Sequence, residues 1–145
     1  MTPFWIDSNI FIESANGPYT FSRVPSYWTF LDQKLAEGVI CSSQMVYREL
    51  VGFGDELSRW VRNRKQKGLC READQTVQSK MNIVADGIFS CGRYGIENIN
   101  EFLSGADPWI ISHALATGGT VVTNESALRP NAKKFESLTF ALTML

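Results

Sequence analysis

Apolar residues in this chain fall into a few short dense runs separated by longer stretches with helical spacing. Phe4-Trp5-Ile6 is such a run, ends at Asp7, and predicts a first buried strand. Ile10-Phe11-Ile12 follow closely, so the strand gives way to a turn or helix start at Asp7 itself. Asn16-Gly17-Pro18 then breaks the pattern. From Pro25 to Glu37 the residues Trp28, Leu31 and Leu35 make an apolar stripe, with Pro25 in a first turn and Gly38 beyond the end, which predicts a helix. Val39-Ile40-Cys41 reads as a second strand, after which Ser42 or Ser43 caps a helix carrying Val46 and Leu50 on one face and Glu49 beside them. Beyond Gly52-Phe53-Gly54, the stretch from Asp55 to Lys67 predicts a helix with Leu57, Trp60 and Val61 inward and Arg59, Arg62, Arg64, Lys65 and Lys67 outward. A longer helix runs from Glu72 to about Phe89, with Val77, Met81, Val84 and Ala85 as its buried positions.

The most informative stretch is Ser104 to Glu125. Asp107 before Pro108 opens a helix as its cap, since Pro at the first helical position gives up only an N–H that would be unpaired anyway. Ile111, Ala114 and Leu115 supply the buried stripe, Gly118-Gly119 stops the helix, and Thr120-Val121-Val122-Thr123 predicts a strand covered on both faces. Short apolar strands alternating with helices imply an α/β domain, a mainly parallel sheet of four to five strands with helices on both sides and right-handed crossovers. In the tail, Phe135, Leu138, Phe140 and Leu142 suggest a last strand with imperfect alternation.

Bulk properties narrow the class. A length of 145 residues suits one domain with its own core. A net charge of −1 excludes a strongly basic protein but leaves room for a local basic face. Cys41, Cys70 and Cys91 are odd in number and contain no CxxC pair, which argues against a disulfide framework or a zinc site. No apolar run is long enough for a membrane span, and the first residues lack a basic lead, so a soluble, cytoplasmic protein is expected.

Four carboxylates stand out by position. Asp7 and Glu125 each follow a strand, Glu49 lies on the helix after the second strand, and Asp107 opens the helix before the last one. Carboxyl ends of parallel strands share one edge, where open α/β sheets bind ligands. Carboxylates brought together raise one another's pKa unless a cation neutralises them, and oxygen donors without His or Cys suit Mg²⁺ or Mn²⁺. Each also has a plainer reading: Asp107 as a helix cap, Glu49 as a solvated charge, Glu125 as a loop residue. Ser8, Asn9 and Thr123 can orient carboxylates but are also common cap and turn formers. His113 sits mid-helix and reads as a packed or solvated helix residue rather than a base. The basic face formed by Arg59, Arg62, Arg64 and Lys65 either is simply solvated or holds an RNA backbone.

Taken together, WIDSNIFI at 5–12, Glu49 within VYRELV, ADPWIISHA at 106–114 and VVTNE at 121–125 resemble the PIN-domain nuclease pattern, in order, across most of residues 4–125. The ADPW and VVT-x-E blocks are similar to those of a compact toxin-like prokaryotic branch related to VapC. The resemblance implies a single PIN-like domain over 1–145, a three-layer α/β/α sandwich. It further implies a Mg²⁺- or Mn²⁺-dependent endoribonuclease, the toxin of a toxin–antitoxin pair with a cognate antitoxin partner, and a homodimer. By position, Asp7, Glu49, Asp107 and Glu125 match the family's catalytic and metal-binding acids, and Ser8, Asn9 and Thr123 its supporting polar residues. The sequence departs from the family at Glu125, where most members have Asp, and in the atypical segment 126–145.

Two other readings compete. A non-catalytic PIN-fold module would bind RNA or protein through the basic helix. A phosphatase using Asp7 as nucleophile would need an acid two residues on, where this chain has Asn9.

Overall fold

Four short strands, β1 (Phe4–Ile6), β2 (Ile40–Ser43), β3 (Cys70–Arg71) and β4 (Thr120–Val122), form one sheet in the order β3-β2-β1-β4 in the computed structural model, which describes residues 2–125. Every neighbouring pair is parallel. Seven helices flank the sheet among the described residues: α1 (Ser8–Asn16), α2 (Pro25–Ala36), α3 (Gln44–Val51), α4 (Glu56–Arg62), α5 (Gln75–Ser90), α6 (Ile96–Ser104) and α7 (Asp107–Thr117). They form two layers, with α1, α3 and α4 packed together on one side and α5, α6 and α7 on the other. The architecture is thus the expected α/β sandwich with a parallel central sheet.

Local chemistry accounts for most element boundaries. Asp7 caps α1, Ser43 caps α3 by accepting from the Val46 N–H, and Asp55 and Asp74 cap α4 and α5 in the same way. Gly118 ends α7 at φ +65°. Gly119 is needed for a different reason. A Cβ there would stand 2.5 Å from the Pro3 carbonyl oxygen and 2.8 Å from the Trp5 ring, so only glycine lets β4 lie against β1.

Two aromatic layers fill the core. Beneath α2 and α4, Phe21 stacks on Trp28 at 3.9 Å and Trp28 meets Trp60 edge-on at 5.1 Å. On the opposite face Trp5 is fully buried and stacks on His113 of α7 at 4.4 Å. The Trp5 indole N–H donates to Thr117 Oγ1 at 2.9 Å, fixing α7 on the sheet.

Several expectations are corrected. The helix expected to run from Asp55 to Lys67 stops at Arg62. It is followed by a single 3-10 turn (Lys65–Lys67), Gly68 in the left-handed conformation, and the two-residue strand β3. Helix α6 was not anticipated. Asp107 does not cap α7: Ala106 occupies the cap and Asp107 is the first helical residue. Leu115 is 36 % exposed, and the buried face of α7 is instead Ile110, Ile111, Ser112, His113 and Ala114. Strand β4 is half-buried at best rather than covered on both faces. Met81 and Ala85 are also only half-buried. The tail strand suggested by Phe135, Leu138, Phe140 and Leu142 lies outside the described residues. Among the described residues no helix is long and apolar enough to cross a membrane.

Candidate metal centre at the carboxyl edge of the sheet

The strand order reverses between β1 and β4, because the chain moves outward from β1 to β2 and β3 and then returns to the other side. Such a switch point opens a crevice at the carboxyl ends of the two strands. Asp7 occupies the end of β1, and its backbone N–H donates to the Val122 carbonyl of β4 at 3.0 Å. Its side chain is 1 % exposed and held from both sides. One carboxylate oxygen accepts from the Ser8 N–H at 2.7 Å and the other from Thr123 Oγ1 at 3.0 Å. The same Thr123 oxygen accepts from the Glu125 N–H at 3.2 Å, so one hydroxyl fixes the strand exits that carry Asp7 and Glu125.

Asp107 and Glu49 come to this edge from the helices. Glu49 projects from α3, and its Oε1 accepts from the Ala106 N–H at 3.3 Å. A carboxylate from another helix thereby meets a free N–H at the start of α7, where the helix dipole favours negative charge. Burial pushes the Asp107 carboxyl up to about 7, and the neighbouring Asp7, Glu125 and Glu49 carboxylates push in the same direction. Asp7 is also raised by burial, against the hydrogen bonds from Thr123 and Ser8. All four acids named from the sequence therefore share one electrostatic neighbourhood. They are not drawn into a finished cage: among the described residues no group of three or more His, Cys, Asp or Glu side chains is gathered closely enough to hold an ion.

Of the supporting residues, Ser8 and Thr123 bond Asp7 directly, while Asn9 is half-buried in the first turn of α1. Sequence reasoning missed Glu13, whose charge also raises Asp7 and whose carboxylate accepts from the Asn124 amide at 2.5 Å. No periodicity marks it, since the contact joins residues 111 positions apart.

The basic stretch is partly engaged in contacts of its own. Arg62 donates to the Val51 carbonyl, and Arg64 forms a two-pronged ion pair with Asp32 while lying 4.3 Å from the centre of the Trp60 ring. Lys65 sits over Tyr47, and Arg59 is exposed. Arg62 and Lys65 therefore lie against Val51 and Tyr47 of α3, the helix that also carries Glu49, while Arg64 is engaged by Asp32. Two further cations are Arg48, which directly precedes Glu49 on α3, and Arg71, which ends β3.

His113 is 3 % exposed, and burial holds it down to about 4, so it is neutral near physiological pH and packs rather than acts as a base. Burial raises Cys41 to about 11 and Cys70 to about 12, which removes both thiols as nucleophiles.

These shifts predict a pH signature. The raised Asp107 lets the native chain keep a proton that the unfolded chain releases. Its stabilising effect is full below about 4 and is lost as pH rises through about 7. His113 has the opposite sign: its buried neutral form adds stability above about 6.5, lost as pH falls toward about 4. In chelator-treated protein, the melting temperature of Asp107→Asn minus that of wild type should therefore grow as pH rises from about 4 to about 7. A difference that stays flat across that range would refute the shift.

No curated protein matches the chain. Over residues 4–139, which include the whole of the acidic edge, the sequence matches the family described as a domain of unknown function, DUF4411, and the chain belongs to that family.

Proposed function

We propose that this chain is a PIN-type, metal-dependent endoribonuclease that hydrolyses RNA phosphodiester bonds, with Asp7, Glu49, Asp107 and Glu125 as its acidic set and Mg²⁺ or Mn²⁺ as cofactor. The observation that carries the reading is Asp107, a half-buried carboxylate pressed by three others at the strand-order switch point. Uncompensated, that arrangement is costly, and a divalent cation offsets it. The donor chemistry fits Mg²⁺ or Mn²⁺, being oxygen alone. When bound, such an ion supplies positive charge that polarises the scissile phosphate and makes a water acidic enough to attack it.

The chain's own residues would divide the remaining work. Ser8 and Thr123 lock Asp7 with both oxygens directed, Glu49 is steadied by the Ala106 N–H, and Thr123 aligns the Glu125 backbone. Arg48 and Arg71 would meet an RNA backbone together with the exposed Arg59, Arg62 and Lys65, whereas Arg64 is engaged by Asp32. The role of toxin, a cognate antitoxin and a homodimer belong to the same proposal and rest on the PIN resemblance.

The competing reading, a non-catalytic PIN-fold module binding RNA or protein, draws support from the carboxylates' not forming a finished cage. Calorimetric titration of Mn²⁺, followed by incubation with single-stranded RNA of mixed sequence, separates the two. The ribonuclease reading expects saturable Mn²⁺ binding and cleavage that EDTA stops. RNA bound equally well with and without EDTA, and never cut, would leave the binding module.

A further inference from the structure

The turn between α3 and α4 lifts one aromatic ring into solvent. Gly52 ends α3 and Gly54 reverses the chain at φ +64°, a left-handed backbone that favours glycine, so Phe53 stands between two glycines in a tight turn. Its side chain is 71 % exposed, the highest value for any large apolar residue among those described. A lone exposed apolar residue is ordinary on a protein surface. The charge around this one is not.

Arg62 of α4 donates to the Val51 carbonyl at 3.0 Å, two peptide units before Phe53. The Lys65 ammonium lies 4.9 Å from the centre of the Tyr47 ring, one helical turn before Val51 on the same face of α3. Contacts across the helices thus set Lys65, Arg62 and Phe53 in a row along α3, with Arg59 three positions before Arg62 on the same side of α4. Among the described residues none of Arg59, Arg62 and Lys65 has a carboxylate within ion-pair distance, whereas Lys34 is held by Glu37 and Arg64 by Asp32. Of the acids beside α4's start, Asp55 turns an oxygen to the Ser58 N–H at 2.9 Å as a cap, and Glu56 joins no ion pair with a described residue.

We infer that this face holds single-stranded RNA independently of the four acids, with an unpaired base stacked on Phe53 and the neighbouring phosphates drawn along Arg62 and Lys65. Cations without counter-charge suit a polyanion, and an aromatic ring stacks on a base whatever the sequence. A protein partner fits less well. Protein interfaces centre on apolar surface with charge kept to the rim, and here the apolar neighbours Tyr47 and Val51 are half-buried, with Lys65 over Tyr47. The choice of RNA as the polyanion rests on the ribonuclease reading, to which this face adds a hold on the substrate away from the reacting phosphate.

Binding of a labelled oligouridylate of about ten nucleotides to the whole chain, measured by fluorescence anisotropy in EDTA, tests it without requiring catalysis. Phe53→Ala should weaken binding at least about fivefold, and Phe53→Trp should keep it. Phe53→Leu, apolar but without a ring face, should behave like the alanine variant. Arg62→Gln combined with Lys65→Gln should lower the slope of log Kd against log salt by about 1.4, roughly 0.7 for each cation removed from a single strand. Lys34→Gln, on α2, should change nothing. All these side chains lie at the surface, and a thermal melt checks the fold of each variant. An absence of salt-dependent RNA binding would overturn the inference, as would wild-type affinity in both Phe53→Ala and Phe53→Leu. If decaglutamate binds as tightly as the RNA and loses as much on Phe53→Ala, the face docks an acidic protein segment and the inference falls. RNA binding with the expected losses in a protein that never cleaves RNA in Mn²⁺ keeps this face and discards the ribonuclease. Cleavage with KM and binding untouched by Phe53→Ala discards the face and keeps the ribonuclease.

Discussion

Asp107→Asn is expected to eliminate Mn²⁺ binding and RNA cleavage while making the metal-free protein more stable. Both effects have one cause. Asp107 lies half-buried among the fields of Asp7, Glu49 and Glu125, so its negative charge is costly without a cation. The amide removes that charge with little change in shape. A metal ion supplies several kcal/mol of transition-state stabilisation, and at about 1.4 kcal/mol per decade its loss is on the order of 10³-fold in rate. The melting temperature in EDTA should rise, an opposition of stability and activity common at strained functional sites. Cleavage of labelled RNA in Mn²⁺ and a melt in EDTA check the two halves separately. An active variant would remove Asp107 from the mechanism, and a metal-free variant less stable than wild type would contradict the electrostatic account.

Trp5→Ala is expected to destabilise the fold by about 3–5 kcal/mol, the usual cost of emptying a fully buried aromatic site. The ring does more than fill volume. It stacks on His113, donates to Thr117 and lies beneath the Arg71 guanidinium at 5.6 Å, so its removal loosens α7 and with it Asp107. Out of a total stability of about 5–15 kcal/mol for a domain, that loss is large. Urea denaturation should show a much lower midpoint, with Trp5→Phe in between. A midpoint near that of wild type would mean that α7 is held by other contacts.

What was legible in the sequence was local. Asp7 directly follows Phe4-Trp5-Ile6, and the same side chain caps α1, so adjacency alone located both strand end and helix start. Gly118 marked the end of α7 through a conformational need that belongs to one residue. Illegible features depended on distant partners or on very short segments. The role of Glu49 is set by a backbone N–H 57 positions away, and nothing around Glu49 announces it. Strand β3 has two residues, too few to carry an alternation. Helix α6 did have a usable signal, with Ile96, Ile99, Phe102 and Leu103 at helical spacing after Gly95, but the glycines of the preceding run obscured it. On α7 the buried face includes Ser112 and His113, polar residues that a hydrophobic pattern assigns to water. Ser112 is satisfied within the helix by the Pro108 carbonyl at 2.6 Å, and His113 by stacking as a neutral ring.

The bond between Thr123 and Asp7 closes a loop of 116 positions. Because β1 is interior to the sheet and pairs with both β2 and β4, the amino-terminal strand waits for the last described one before the crevice exists. Pairings this distant in sequence carry a high closure entropy and form late. During synthesis, a nascent chain already carrying Asp7 and Glu49 has neither α7 nor β4 with which to bring the remaining carboxylates beside them. Under the proposed ribonuclease activity, the order of assembly is itself a safeguard: the messenger being translated is out of danger until the chain has been made as far as Thr123.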